Sequence, residues 1–287
     1  MNETSISPVA ASGCNAFARR MCRAVIGTCF TLALVQPVRA QGPALEGGTT
    51  QIPPAPDAPT FMSRTDLRMA AAALSTDDHR FKWDTHFGGD IDVVDYVCGR
   101  VRLVADYQAI LGNEFRPFDP NQGNYVLEPS ASLRVAEFEV AAVFHHESRH
   151  LSDRFKRFSI DWNVLGGRAL KRVDLRTTTL EVEAGFGRVV SHTFTDYKWV
   201  GDADVLVRRR LNDRMAMYAR GRTVVYGVDG TVPRNTPTGG RGEIGVRLTG
   251  PAGAVELFAG VERMVDAYPL DRVSQKWPFG GFRLISR

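Results

Sequence analysis

The chain has 287 residues, of which 44% are hydrophobic and 24% are charged, and its formal net charge is +4. This composition is ordinary for a globular chain and by itself excludes little. No run of eighteen apolar residues occurs, which argues against a membrane-spanning helix but not against a transmembrane barrel, whose strands are only half apolar.

The first 40 residues have the features of a cleaved export signal. Arg19, Arg20 and Arg23 precede an apolar segment at 24–35, and Ala40 offers a small residue at the predicted cleavage site. Four of the 36 Lys and Arg residues and one of the 32 Asp and Glu residues lie in this signal. The chain that remains after cleavage is therefore nearly neutral, and nucleic acid is not a predicted partner.

Residues 41–62 are rich in Pro, Gly and Thr and contain little that could be buried. We therefore predict a flexible periplasmic linker, followed by one folded domain at 63–287. Cys98 is the single cysteine beyond residue 40, so neither a disulfide framework nor a multi-cysteine zinc site is expected in this domain.

Beyond residue 65 the chain is a succession of segments in which polar and apolar residues alternate. In the segment 99–111, for example, Arg100 and Arg102 lie on one face and Tyr107 lies on the other. Such alternation is typical of β-strands, and turn sequences rich in Gly, Asn and Asp separate the segments. Two of the connections, 113–129 and 229–240, are predicted to be long.

The number of alternating segments predicts about twelve strands, and consecutive strands form either a sandwich or a barrel. Several strands keep charged residues along one face and apolar residues along the other, as expected for the lumen and the lipid side of a transmembrane barrel. We therefore predict a single antiparallel β-barrel in the cell outer membrane, inserted by the barrel-assembly machinery. Its lumen could be filled by side chains. An aromatic girdle is predicted from Trp83, Trp162, Trp199, Trp277, Tyr197 and Tyr218.

The most informative segment is 133–153, LRVAEFEVAAVFHHESRHLSD. With a period of two, one face contains Glu139 and Glu147 and is predicted to line the lumen. The other face, predicted to meet lipid, contains Phe138, Val140, Ala142, Phe144, His146, Ser148 and His150.

The sequence His146-x-Ser148-x-His150-Leu151-Ser152-Asp153 resembles a strand in a family of Gram-negative outer-membrane barrels described only as a domain of unknown function. In that family the strand ends in His-x-Ser-x-His-Leu-Gly-Asp, so Ser152 replaces the usual Gly. Three further segments are similar to sequences of that family, at 115–119, 124–125 and 281–283. The resemblance implies a barrel and supplies no function.

The same strand resembles the lipid A 3-O-deacylases, outer-membrane barrels with a His-x-Ser pair on one strand and a Glu on a neighbouring strand. This resemblance implies His146 and Ser148 as catalytic residues on the lipid-facing wall. His150, on the same face, is a further candidate. A serine nucleophile needs a neighbouring base, and the base needs an orienting carboxylate.

The orienting carboxylate is not assigned by the sequence. In the strand that follows, Trp162 alternates with Asp161, which is therefore predicted to face the lumen. Glu181 and Glu183 are predicted to face the lumen as well, and Asp153 is expected in the turn. The sequence therefore does not identify the carboxylate that would orient the histidine.

Three functional hypotheses follow. The first is a lipid-facing site that binds or deacylates outer-membrane lipid or lipopolysaccharide, and an enzyme of this kind would be a serine acyl-ester hydrolase. The second is a small channel or a structural barrel whose histidines form interfacial hydrogen bonds. The third is a periplasmic zinc hydrolase, with His146 and His150 of an H-E-x-x-H helix as the metal ligands. The period-two alternation and the charged Arg149 argue against the third. No cofactor is predicted.

Overall fold

The computed structural model of this protein describes residues 55–151 and 159–286. Twelve antiparallel strands follow one another around a closed barrel, in which β1 pairs with both β2 and β12. The strands are β1 (Thr60–Leu74), β2 (Trp83–Asp95), β3 (Arg100–Gly112), β4 (Asp119–Val135), β5 (Phe138–Leu151), β6 (Asp161–Leu175), β7 (Thr178–Thr193), β8 (Tyr197–Arg210), β9 (Met215–Val228), β10 (Thr238–Thr249), β11 (Gly253–Tyr268) and β12 (Val273–Ser286).

The predicted all-β class and the predicted number of strands are confirmed. β1 begins at Thr60, ahead of the domain boundary predicted at residue 63. The predicted signal peptide and the linker up to residue 54 lie outside the described residues. In the described part of the chain there is no helix long and apolar enough to span a membrane.

The two ends of the barrel differ in the lengths of their connections. At one end β4 and β5, and likewise β6 and β7, are joined by turns of two residues at 136–137 and 176–177. The other end has longer connections, including 75–82 and 229–237. In outer-membrane barrels the short turns lie on the periplasmic side and the long loops outside the cell. The end of β5 that contains His150 is therefore the extracellular end.

One of the two long connections predicted from the sequence is wrong. β4 begins at Asp119, so the connection between β3 and β4 is limited to residues 113–118. Pro120 and Gly123, which look like loop residues in the sequence, lie inside β4. The connection predicted at 229–240 is a loop over 229–237.

Paired charges occupy much of the lumen, as the charged faces of the strands predict. Arg168 lies 2.7 Å from Glu128 and 2.8 Å from Glu183, and Arg283 lies 3.1 Å from Glu243. All five side chains are buried. A buried charge is tolerated where opposite charges and hydrogen bonds replace the lost water, and these networks link strands from inside the barrel, including pairs that are not adjacent.

Near the extracellular end the lumen contains more apolar and aromatic side chains, beside charged ones such as Arg149. Its buried cluster consists of Trp162, Val164, Val189, Tyr197, Val200, Tyr226 and Val265. The aromatic girdle predicted from the tryptophans and tyrosines is therefore wrong for most of its members. Trp162 and Trp277 are 1% and 3% exposed, and Tyr197 and Tyr218 are buried with them inside the barrel.

The outer wall is covered by large apolar side chains. Exposed examples from different strands are Met69, Phe87, Leu127, Val140, Leu165, Ile244 and Leu257. A closed barrel with a charged interior and an apolar exterior satisfies all of its backbone hydrogen bonds in lipid without presenting a free sheet edge. The protein is an outer-membrane β-barrel.

Candidate active site

β5 places its alternating residues as the sequence predicts. Glu139, Glu147 and Arg149 are buried in the lumen, whereas Val140 and Phe144 are exposed on the outer wall. The outward positions continue with His146 and Ser148, which are half-buried, and with His150, which is exposed. The three candidate site residues therefore share the lipid-facing wall, near the extracellular end of the strand.

His146 has a defined partner on the neighbouring strand. It lies directly opposite Asn163 of β6, and its Nδ1 is 2.9 Å from the Asn163 Oδ1. The Asn163 amide nitrogen donates a hydrogen bond of 2.8 Å to the Ser191 hydroxyl on β7. This second bond turns Oδ1 towards the imidazole, so His146 donates through Nδ1 and keeps its Nε2 as an acceptor in the neutral form.

Ser148 has neighbours on both adjacent strands and along its own strand. Across the strands it faces Tyr125 of β4 on one side and Asp161 of β6 on the other. Along its own strand its hydroxyl Oγ is 3.3 Å from the Nε2 of His150. In the structure the hydroxyl is thus bonded to His150, and His146 is bonded to Asn163.

The outward position of Asp161 corrects the sequence prediction, which placed it on the lumen face. β6 begins with Trp162 and Val164 inside the lumen, where they belong to the apolar cluster. Its polar residues Asp161 and Asn163 therefore face outward. The prediction failed because the polar face was taken to be the inner face, whereas at this end of β6 the inward residues are apolar and pack in a buried cluster.

The other acid candidates have separate outcomes. Glu181 and Glu183 are buried in the lumen, as predicted, and Asp153 lies outside the described residues. Asn163 was missed because the search was for a carboxylate, although an amide oxygen can accept the same hydrogen bond. Its position in an antiparallel hairpin with β5 was the signal that could have found it.

The helical zinc-hydrolase hypothesis is wrong. His146 and His150 lie on a β-strand, where four residues span about 13 Å and two such histidines cannot share one metal ion. Glu147, the required general base, points into the lumen, 3.0 Å from Arg149. Among the described residues no group of three or more His, Cys, Asp or Glu side chains could hold a metal ion.

The surroundings of Ser148 are apolar on one side and polar on the other. A row of directly opposed outward residues runs from Phe87 through Tyr107 and Tyr125 to Ser148. The Tyr107 and Tyr125 rings pack with their centroids 4.9 Å apart. Beyond Ser148 the wall presents Asp161, Asn163, Ser191 and Thr193. The candidate site therefore sits at a boundary between an aromatic surface and a polar one.

Comparison with known proteins yields similarities of fold. No protein-family model matches the chain, and no curated protein matches it; the two resemblances of the histidine strand therefore remain predictions. Among solved structures, the chain is similar to the calcium-bound dimer of the outer membrane phospholipase from Salmonella typhi. The identity is 14%, over 77% of this chain and 90% of that one, with a TM-score of 0.48.

Two further structures are similar to the chain at comparable levels. One is an active-site mutant, Asn to Ala, of the outer membrane phospholipase A from Escherichia coli, with 15% identity over 84% of this chain and 94% of that one, and a TM-score of 0.48. The other is OmpT, an outer membrane protein of Vibrio cholerae, with 10% identity over 77% and 95% and a TM-score of 0.39.

Proposed function

We propose that this barrel hydrolyses an acyl ester of an outer-membrane lipid, with Ser148 as the nucleophile, His146 as the general base and Asn163 as the residue that orients the base. The observation that carries the proposal is the 2.9 Å hydrogen bond between His146 and Asn163 on the lipid-facing wall, beside a serine on the same face. A serine, a histidine and a side chain that fixes the histidine tautomer are the parts that nucleophilic acyl transfer requires.

Each group has a defined task in this reaction. As the Ser148 Oγ attacks the carbonyl carbon of the ester, its proton passes to the Nε2 of His146. The tetrahedral intermediate then releases the alcohol, which takes this proton, and an acyl-serine remains. Water, activated by the same Nε2, hydrolyses the acyl-serine. Asn163 does not titrate, so it holds the imidazole in the required tautomer throughout.

The reaction requires Ser148 to change its hydrogen-bond partner. Residues two apart on a strand are separated by about 7 Å along the chain, and the hydroxyl now points to His150. Rotation of Ser148 about χ1 to another staggered position directs Oγ towards His146. Such a change on substrate binding is common, because catalytic hydrogen bonds often tighten only in the substrate complex.

The location of the site supports a membrane lipid as the substrate. Ser148 faces outward near the extracellular end of β5, where it meets the outer leaflet. The aromatic surface formed by Tyr107 and Tyr125 suits an acyl chain, and the polar surface around Asn163 suits a head group. An ester at the junction of these two parts of a lipid would lie over Ser148.

The alternative of a small channel has less support. Arg168 and Arg283 are paired with carboxylates across the lumen, and an apolar cluster is packed inside the lumen near its extracellular end. A cavity of about 100 Å³ lies within the described part of the lumen, lined in part by His86, Asp106 and Arg149. A barrel with a structural role alone remains the alternative outcome of the test below.

The test compares Ser148→Ala with the wild-type protein, both inserted in the outer membrane. Mass spectrometry of the extracted glycerophospholipids and lipid A is expected to show loss of an acyl chain with the wild type and none with the variant. Thr85→Ala is the matched control, because Thr85 presents a hydroxyl on the outer face of β2 and is not part of the site.

A serine-reactive fluorophosphonate gives an independent measurement on the purified barrel. It is expected to label the wild type and Thr85→Ala, and not Ser148→Ala. Equal lipid composition and equal labelling for wild type and Ser148→Ala, in barrels shown to be folded, would mean that Ser148 is not a nucleophile and would favour a structural barrel.

A further inference from the structure

Ser148 has a second histidine beside it, whose task the acyl-transfer scheme above does not use. The His150 Nε2 lies 3.3 Å from the Ser148 Oγ, and the side chain is exposed to the lipid side. His146 already supplies the base, because Asn163 fixes its orientation. The second imidazole next to the nucleophile, that of His150, is therefore expected to have a role other than that of the general base.

We propose that His150 is a catalytic residue that donates a hydrogen bond from Nε2–H to the oxyanion of the tetrahedral intermediate. The inference rests on the proposed function. When the Ser148 Oγ bonds to the carbonyl carbon, the former carbonyl oxygen is attached to that same carbon. Once Ser148 has rotated towards His146, the Nε2–H of His150 faces the space that Oγ occupied at 3.3 Å. The carbonyl oxygen of the substrate can enter this space, which is the placement required of an oxyanion donor.

The charges around Ser148 decide on which side the oxyanion lies. Asp161 stands across from Ser148 on β6, the strand that also supplies Asn163. A carboxylate on this side repels an oxyanion and stabilises the imidazolium that His146 becomes during the attack. On the β4 side Ser148 faces Tyr125, which is uncharged. We therefore place the oxyanion on the side of Ser148 that faces β4, and the base, His146, on the side that faces β6.

His150 is held on the β4 side by an aromatic contact. Its ring meets the ring of Tyr125 edge to face, with centroids 5.3 Å apart and an interplanar angle of 86°. Tyr125 in turn packs against Tyr107. This placement fixes the imidazole with few rotamers to lose, as preorganised stabilisation of the transition state requires.

The backbone of β4 makes room for this stack of rings. Gly123 lies directly opposite His150, and the Tyr107 hydroxyl lies 2.9 Å from the position that a Cβ of residue 123 would take. The absence of a side chain there lets the Tyr107 ring lie against β4 on the outer wall, at the position opposite His150. Tyr107 and Tyr125 are positioning residues in this scheme, since they act through His150.

Acyl transfer to Ser148 needs no reactant other than the ester and the side chains already named. The Ser148 proton moves to the His146 Nε2, the Oγ–C bond forms, and the carbonyl π electrons move to oxygen. The Nε2–H of His150 shares its proton with that oxygen but keeps it. On collapse the carbonyl reforms, the bond to the alcohol oxygen breaks, and the alcohol takes the proton from His146. His150 thus ends each acyl transfer in the state in which it began.

The experiment measures kcat and KM for ester hydrolysis in mixed micelles with purified wild type, His150→Ala and His150→Gln. We expect His150→Ala to lower kcat by about 10²- to 10³-fold with little change in KM, because the bond forms only in the transition state. His150→Gln retains an N–H donor and is expected to recover part of that loss. Folding is checked by the mobility shift of unheated barrels on gels.

A second readout separates an oxyanion donor from a residue that only shapes the site. A long-chain alkyl trifluoromethyl ketone forms a tetrahedral adduct with the serine, and its affinity is expected to fall in His150→Ala by about the same factor as kcat/KM. A substrate-like lipid ether, which cannot form the adduct, is expected to bind both proteins equally.

The outcomes distinguish this inference from the function on which it rests. Wild-type kcat and wild-type ketone affinity in His150→Ala, with Ser148→Ala inactive, would overturn the role of His150 and leave the hydrolase intact. Equal loss of ketone and ether binding in His150→Ala would also overturn it, by showing a structural role. Wild type and Ser148→Ala with the same activity would overturn the proposed function and this inference together.

Discussion

His145 and His146 are adjacent in the sequence and lie on opposite sides of the barrel wall. His145 is fully buried in the lumen, with its Nδ1 2.9 Å from Glu128 and its Nε2 3.7 Å from Glu147. His146 is half-buried on the lipid side, and its Nδ1 meets the neutral amide of Asn163. The two histidines therefore differ in their partners, which are carboxylates for His145 and an uncharged amide for His146.

The difference separates polar residues that have a structural role in the lumen from those for which we propose a function on the outer wall. Inside the lumen, carboxylates and guanidinium groups surround one another, so His145 is one member of a network that stabilises the fold. On the outer wall a polar side chain meets lipid, where its transfer from water is costly. Polar residues that stay together there, as His146, Ser148 and Asn163 do, are better explained by a function than by stability.

The largest effect that separates the two histidines is expected on hydrolysis. His146→Ala should lower kcat by about 10⁴-fold or more, because Ser148 loses its base, while the folded barrel remains. His145→Ala should instead reduce stability, since Glu128 and Glu147 lose a partner, and should retain activity per folded molecule. The measurement is ester hydrolysis normalised to the folded fraction. Similar losses of activity in both variants would remove the distinction between the two faces.

The next effect tests whether the amide orients the base. Asn163→Ala is expected to lower kcat by about 10²- to 10⁴-fold, because His146 loses the acceptor that selects its tautomer. Asn163→Asp retains an acceptor oxygen at the same place and should be considerably more active than Asn163→Ala. If the two variants had equal activity, Asn163 would have no orienting role, and hydrolysis kinetics alone would show this.

Removal of a buried charge tests whether the lumen residues are structural. Arg168→Met leaves Glu128 and Glu183 without their shared guanidinium, and we expect it to reduce the free energy of unfolding by about 3–5 kcal/mol. Urea unfolding in lipid vesicles, followed by tryptophan fluorescence, measures this change. Activity per folded molecule should be near that of the wild type, and a selective loss of kcat would contradict the structural assignment.

The smallest expected effect concerns Ser191, which holds the amide of Asn163. Ser191→Ala removes one hydrogen bond of 2.8 Å, worth about 0.5–1.5 kcal/mol. The corresponding decrease in kcat is about 2- to 10-fold. Hydrolysis assays with Thr85→Ala as the control are sensitive enough to detect it. No decrease at all would show that Asn163 is held without Ser191.

Much of the fold could be predicted from the sequence because charge identifies the lumen along several strands. In β5, Glu139 and Glu147 belong inside, so the outward position of His146 and Ser148 follows from alternation alone. In β6 the same rule fails. At its extracellular end Trp162 is inside and the polar Asp161 and Asn163 face lipid, whereas Arg168, further along the strand, faces the lumen. Alternation assigns the residues of a strand to two faces. Where both faces contain apolar residues, it does not show which face points into the lumen.

Only part of the geometry of the candidate site could be predicted, for a related reason. His146 and Ser148 are two residues apart, so local geometry brings them to one face. Asn163 joins them through the register between two strands, which the sequence of either strand does not specify.

The alternation of β5 also bears on how such a protein can change over time. Its inward residues, among them His145 and Glu139, are tied to partners on other strands and tolerate little substitution. Its outward residues contact lipid, so a new side chain there disturbs few neighbours. Every second residue is thus available for variation while its neighbours preserve the barrel. A wall of this kind can acquire or lose a reactive surface without being rebuilt.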